Sequence, residues 1–291
     1  MTNSQLQSYL SQALNTMVKE IEPVGGGCIN QAYKINQAYK IQTANETFFC
    51  KTNSASKFPQ LFEKEKNGLE LLKKQNVICV PSVINYFESD DQQILVLEWI
   101  DESRKTNDFW KTFGKQLAVL HQTTDHQFGL EENNYMGSIA QTNSQDTNWI
   151  EFFVAQRLQP LVKLCRHYLS SKAINQIEIL YQRLPEVFNT EKPSLLHGDL
   201  WSGNFMCDTT GSPVLIDPAV YFGHRSVDLA MTTLFGGFHS LFYESYNYLF
   251  PFPPNYKEQW KVCNLYPLLI HLYLFRQSYL LQIEQILDEF N

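Results

Sequence analysis

The sequence lacks any apolar run long enough to cross a bilayer; the longest, residues 267–275, is short and broken by His271. Its N-terminus, MTNSQLQSYLSQAL, has neither a basic stretch nor a long apolar core, so no secretory signal is expected. A basic excess is missing too. Lys and Arg number 23 against 30 Asp and Glu, a formal charge of −7, whereas a nucleic-acid binder needs a positive face. Cysteine is present but never closely paired. Positions 28, 50, 79, 165, 207 and 263 contain no CxxC, which excludes the usual zinc spacing and argues against a secreted disulfide framework. These absences predict a cytoplasmic protein with reduced thiols, no membrane span and no nucleic-acid partner.

What the chain does have is one dense polar segment, residues 195–217, reading LLHGDLWSGNFMCDTTGSPVLID. His197-Gly198-Asp199 follows an apolar run, and Asn204 stands five residues after Asp199. A turn occupies 209–213, and the apolar run Val214-Leu215-Ile216 ends in Asp217. Strand, polar loop, turn, strand, carboxylate is a layout for phosphoryl transfer. One carboxylate positions an attacking hydroxyl, while an Asn and a second carboxylate hold Mg²⁺ against the phosphates of ATP. Mg²⁺ takes hard oxygen ligands and keeps several waters, so Asn204 and Asp217 are a sufficient protein share. A bare surface hairpin accounts for His-Gly-Asp alone. It does not account for the Asn at plus five together with a strand-end Asp thirteen residues beyond it.

With 291 residues there is room for two modest domains, and the rest of the chain reads as their scaffold. Leu6, Leu10, Ala13, Leu14, Met17 and Val18 recur at helical spacing and predict an amphipathic helix ending near Lys19. Gly25, Gly26 and Gly27 follow a short apolar step, where glycines let backbone N–H groups approach phosphates closely. Cys28 in that loop is either a redox-sensitive thiol or a small filler. Residues 31–42 read QAYKIN-QAYKIQ, a tandem duplication of six residues. Six is even, so replacing one copy by the other keeps each side chain on the same face of a strand. The duplication reads as an insertion that lengthens or bulges a β-hairpin. Phe48-Phe49-Cys50 then delivers Lys51, the ammonium expected on the α/β-phosphates. A helix over 62–74 carries Glu63 and Glu65, and on the residues alone the two are nearly equal candidates to hold Lys51.

Residues 77–99 predict two strands around Ser89-Asp90-Asp91, the second ending at Glu98, with a domain boundary over the polar stretch 100–106. A helix over 108–121 ends in His121, expected as a structural contact. Residues 128–149 carry no periodicity and read as loop; 149–168 and 173–184 read as helices, with Arg157 expected in a structural ion pair. Ser226 is a candidate helix cap, Asp228 is expected to brace the catalytic loop, and His224 and Arg225 face either the pocket or solvent. The remainder is aromatic-rich and helical, interrupted at 251–254.

HGDLWSGN, the stretch LIDPAVYFGHRSVDLAM over 215–231, the pattern GGG-x-IN-x-AY from Gly25 and E-x-x-GL from Glu65 together resemble the fructosamine (ketosamine) kinase family. That family belongs to the wider group of aminoglycoside-phosphotransferase-like kinases. Asn134, Gly137, Gln141, Asn143 and Trp149 fall where the family has its N-x-x-G, Q-x-N and W-x-x-F blocks, a candidate acceptor-side wall. The resemblance runs from Gly25 to Asn247 at least. It implies an α+β, bilobal protein-kinase-like fold, with a small β-rich nucleotide-binding lobe over 1–100 and a larger, mainly helical catalytic and acceptor-binding lobe over 101–291. It implies that Asp199 is the catalytic base and that Gly25, Gly26, Gly27, Lys51, Glu65 (in preference to Glu63), Glu98, Asn204 and Asp217 serve the nucleotide. Asn204 and Asp217 would hold the metal. It further implies ATP and Mg²⁺, and acceptors that are fructosamine or ribulosamine adducts, free or on glycated protein lysines. Phosphorylation of their 3-hydroxyl starts deglycation, and the enzyme is expected as a monomer or weak homodimer. Two other readings remain at this point: a kinase for aminoglycosides, choline or plain sugars, and a nucleotide-binding pseudokinase. The presence of Lys51, Asp199, Asn204 and Asp217 speaks against the second.

Overall fold

The computed structural model describes residues 2–25 and 37–290. Gly26, Gly27, Cys28 and the first copy of the duplication lie outside the described residues. The chain separates into two compact units, Met1–Phe109 with Gly203–Pro218, and Trp110–Ser202 with Ala219–Asn291.

The first unit is built on a five-stranded antiparallel sheet. Its strands are β1 (Glu20–Pro23), β2 (Gln37–Gln42), β3 (Thr47–Ser54), β4 (Val83–Ser89) and β5 (Gln92–Glu98), in the order β1-β2-β3-β5-β4. The second copy of the duplication is β2 in its entirety. Its Tyr39 and Ile41 point into a core shared with Phe48, Cys50, Ile94 and Val96, against which α1 (Asn3–Ala13) packs Leu6 and Leu10. A reciprocal Thr2–Gln5 capping box starts α1. The helix ends before the expected Lys19 because Asn15 takes a left-handed φ of 48°, which Asn tolerates. Val18 still reaches the core, while Met17 turns outward at 70% exposure. Side chains alternate across a strand, so burying Cys50 on the α1 side sends Lys51 to the opposite face, where α2 (Leu61–Gln75) supplies its partner.

Residues 203–218 return to this unit as a short hairpin of β9 (Phe205–Cys207) and β10 (Pro213–Leu215). It is tied in by Leu215 N donating to Cys79 O (2.9 Å), Ser103 N donating to Cys207 O (2.7 Å), and stacking of Phe109 on Phe205 at 5.9 Å.

The second unit is mainly helical. It contains most of α3 (Asn107–Leu120), then α4 (Trp149–Phe153), a π-helical turn (Val154–Leu158), α5 (Gln159–Cys165), α6 (Ser171–Val187), α7 (Ser226–Met231), α8 (Ser240–Leu249), α9 (Tyr256–Phe275) and α10 (Leu280–Glu289). The stretch expected as loop holds a small hairpin, β6 (Asn134–Met136) and β7 (Ile139–Gln141), turning at Gly137. Another two-stranded pair, β8 (Ser194–Leu196) with β11 (Tyr221–Gly223), flanks the turn that carries Asp199. Among the described residues no helix is long and apolar enough to cross a membrane, and Cys50, Cys79, Cys165, Cys207 and Cys263 are unbridged.

Candidate active site

In the first unit Lys51 is the centre of an ion cluster. Its Nζ donates to both Glu65 oxygens at 2.8 and 2.9 Å and to Asp217 Oδ1 at 2.9 Å. The ammonium is buried, the Asp217 side chain is 34% exposed, and Glu65 lies between. Burial alone would lower the Lys51 pKa, but the charges of Asp217 and Glu65 outweigh it and hold the ammonium above its ordinary range. Glu65 is pushed upward, because burial and the like charge of Asp217 together exceed the attraction of Lys51. The partner is Glu65, not Glu63: Phe62, Glu65, Leu69 and Leu72 fall on one stripe of α2, and that stripe is the buried one.

The hairpin register sets Asn204 opposite Ile216, the residue before Asp217. Ile216 N donates to Asn204 O at 3.1 Å, so the Asn204 and Asp217 side chains leave adjoining positions of one ribbon. Asp217 holds a left-handed φ of 54°, a costly conformation for a residue with a Cβ and one that clusters at functional sites. An amide oxygen and a partly exposed carboxylate are hard donors, and the cluster has one ammonium for two carboxylates. A divalent cation with several waters fits that donor set and that charge. Glu98 ends β5 exposed, its Oε2 accepting from Ser82 N at 3.1 Å, and Gly25 is exposed with open space at its Cβ position.

In the second unit Asp199 sits on a turn held from behind. Asp228 accepts from His197 N (2.7 Å) and Gly198 N (2.8 Å), the bracing expected of it. His121 Nε2 is 3.2 Å from Asp228 Oδ2, so Nε2 is the donor; in the neutral ring Nδ1 then accepts from the Tyr246 hydroxyl at 2.8 Å. Gly198 has φ 83°, and a Cβ on it would lie 2.0 Å from Ala219 O. Only glycine fits there.

Several expectations are corrected. Arg157 is fully buried, yet no carboxylate pairs with it among the described residues. Its NH groups go to Thr142 O, Gln156 O and Asn143 Oδ1, and its plane lies 4.0 Å over the Tyr221 ring. His224 and Arg225 face neither pocket nor solvent. Both are buried, with Arg225 on Glu191 and on the carbonyls of Phe250 and Pro251. Ser226 is the first residue of α7 rather than its cap, and its hydroxyl donates to Gln259. Asn134, Gln141 and Asn143 are buried as well, and their amides are hydrogen-bonded to one another and to backbone.

An aromatic group missed in the sequence adjoins the turn instead. Trp201, two residues past Asp199, meets Phe235 edge-on at 5.8 Å, and Phe235 lies 4.8 Å from His271. His271 donates from Nδ1 to Pro267 O at 2.7 Å, and burial lowers its pKa, so its neutral Nε2 is an acceptor. The local signal was Phe235 before Gly236-Gly237, a helix break carrying an exposed ring.

The fructosamine kinase family matches residues 1–291. A probable ketoamine kinase of Synechocystis sp. is 36% identical over 275 residues, covering 94% of this chain and 90% of that protein. A protein-ribulosamine 3-kinase, chloroplastic, of Arabidopsis thaliana is 34% identical, covering 97% and 85%. A putative fructosamine-3-kinase of Thermobifida fusca superposes with a TM-score of 0.86 at 28% identity, covering 99% and 98%. A spectinomycin phosphotransferase shares the fold at a TM-score of 0.60 and 14% identity, covering 100% and 95%. The chain therefore belongs to the fructosamine kinase family and is a kinase of the α+β, protein-kinase-like fold.

Proposed function

We propose that the protein transfers the γ-phosphoryl group of ATP to the sugar 3-hydroxyl of a ketosamine and so starts its removal. The observation that carries this reading is the Lys51–Glu65–Asp217 cluster joined to the ribbon that bears Asn204. In this reading residues 1–100 form the nucleotide lobe and 101–291 the catalytic and acceptor lobe. Glu65 holds Lys51 toward the α/β-phosphates, glycine amides from Gly25 onward cradle them, and the Glu98 end of β5 is the hinge that meets adenine. Asn204 and Asp217 hold Mg²⁺, which when bound neutralises the charge gathered on the phosphates. Asp199 accepts the proton of the attacking hydroxyl as its oxygen bonds the γ-phosphorus and the bond to the ADP oxygen breaks.

The acceptor side rests on Trp201, Phe235 and His271. Flat rings suit the apolar face of a sugar, and the His271 Nε2 lone pair suits a hydroxyl. The plant relative's name makes ribulosamine, free or on a protein lysine, the first acceptor to try. The test is ADP release from ATP and Mg²⁺ with ribulosamine, fructosamine and an aminoglycoside side by side. Ketosamine-dependent ADP release with phosphate on O3 is expected. Release with the aminoglycoside alone, or with none of the three, defeats the reading.

A further inference from the structure

The buried amides of Asn134, Gln141 and Asn143 hold one another and hold backbone. Asn134 Nδ2 donates to Val220 O at 2.7 Å; Gln141 Nε2 donates to Asn134 Oδ1 at 2.8 Å and to Ala219 O at 3.3 Å. Asn143 Nδ2 donates to Asn134 Oδ1 at 3.1 Å, and Asn143 Oδ1 accepts from Arg157 NH2 at 2.6 Å. The Tyr266 hydroxyl donates to Gln141 Oε1 at 2.8 Å, which fixes the orientation of that amide. Arg157 anchors one end with no acid partner among the described residues. Burying a cation is unfavourable against a hydrophobic side chain of similar volume, so core filling alone is a poor reason for one here.

Residues 219–220 are in turn what the catalytic turn rests on. Ala219 N donates to His197 O at 2.8 Å, and Ala219 O lies directly against Gly198. The turn bearing Asp199 thus has two supports, Asp228 on its amides and the 219–220 backbone on the other side. Burial chiefly raises the pKa of the Tyr266 phenol; the Arg157 charge opposes it, and Tyr221 and then Asp199 add to it.

We propose that Asn134 and Gln141 are positioning residues for phosphoryl transfer: with Tyr266, Asn143 and the buried Arg157 they fix the 219–220 backbone and thereby the aim of Asp199. The inference rests on the reading of Asp199 as the base.

Asn134→Asp tests it most sharply. The change keeps shape and the accepting oxygen but replaces the N–H donor facing Val220 O with a carboxylate oxygen. The full-length chain is assayed for kcat, for KM of ATP, and for hydrogen exchange of residues 195–203. At pH 8 kcat is expected to fall roughly 10- to 100-fold while KM for ATP stays within about twofold, and the 195–203 amides exchange faster. Lowering the pH restores kcat relative to the unmodified enzyme, because a protonated carboxyl donates to Val220 O again. A folded variant with unchanged kcat overturns the proposal, as does lost kcat with unchanged exchange. Should Asn134→Asp fail to fold, Tyr266→Phe decides, since it removes one hydrogen bond and almost no volume. A kcat lower by about threefold or more with faster exchange supports the network, and unchanged kcat overturns it. If the unmodified enzyme releases no ADP with any ketosamine, the assigned activity fails, while faster exchange in the variants still reports the clamp.

Discussion

One ammonium facing two carboxylates is the smallest unit on which the proposed chemistry depends. In the proposed roles Asp217→Ala would remove a metal ligand and Asp199→Asn the base; each is expected to lower turnover about 10³-fold or more while ATP still binds weakly. Near-full ADP release by either variant would show the roles misassigned. A second residue-scale prediction concerns His224. Burial chiefly, with Arg225 and His121 adding to it and Glu191 opposing, pushes its pKa down to about 4 from 6.5. The folded state therefore refuses a proton that the unfolded chain accepts. Stability is complete above pH 6.5 and falls as pH drops toward 4, by up to about 3 kcal/mol. Urea midpoints at pH 7 and pH 4.5 should show that loss in the native sequence and much less of it in His224→Gln. At this scale Glu65 could be told from Glu63 only through the family's E-x-x-GL pattern, while Asp228 was legible. His224 and Arg225 were not, since their partner Glu191 lies far off in the sequence.

Among the elements, close backbone approach is the strictest condition. A Cβ on Gly114 of α3 would lie 2.2 Å from Phe242 O of α8. Backbone cannot yield as a flexible side chain does, so Gly114→Ala is expected to cost about 3 kcal/mol, read as a lower urea midpoint. β2 gives the opposite case. Among the described residues the second copy of the duplication supplies the pairing with both β1 and β3, so deleting residues 31–36 should leave a cooperatively melting protein. Loss of the melting transition would show that the first copy is needed. The hairpin of β6 and β7 was read as loop because strands of three residues carry too little alternation to register. The polar side chains on it were misread for a related reason: sequence marks an amide as polar but does not say whether water or backbone satisfies it.

For the whole molecule, residues 203–218 belong to a unit whose other residues end about a hundred positions earlier. A fragment of residues 1–109 would leave Cys79 O, Ser103 N and the Phe109 ring without their partners on that hairpin. It is expected to melt without a cooperative transition, by circular dichroism, where the full chain melts cooperatively. A sharp transition in the fragment would show that the unit folds without the hairpin.

The sequence by itself marked the polar ribbon of 195–217 and Lys51 through short spacings and local periodicity, which neighbouring residues impose on one another, and the mixed fold and the kinase family through the resemblance its motifs carry. Only the tertiary structure decided that Arg157 is buried with no carboxylate beside it among the described residues, that the amides of 134–143 face inward onto 219–220, and that Phe235 meets both Trp201 and His271. Each depends on which separate segments meet, and no local pattern records a contact between elements that the chain joins only through intervening structure.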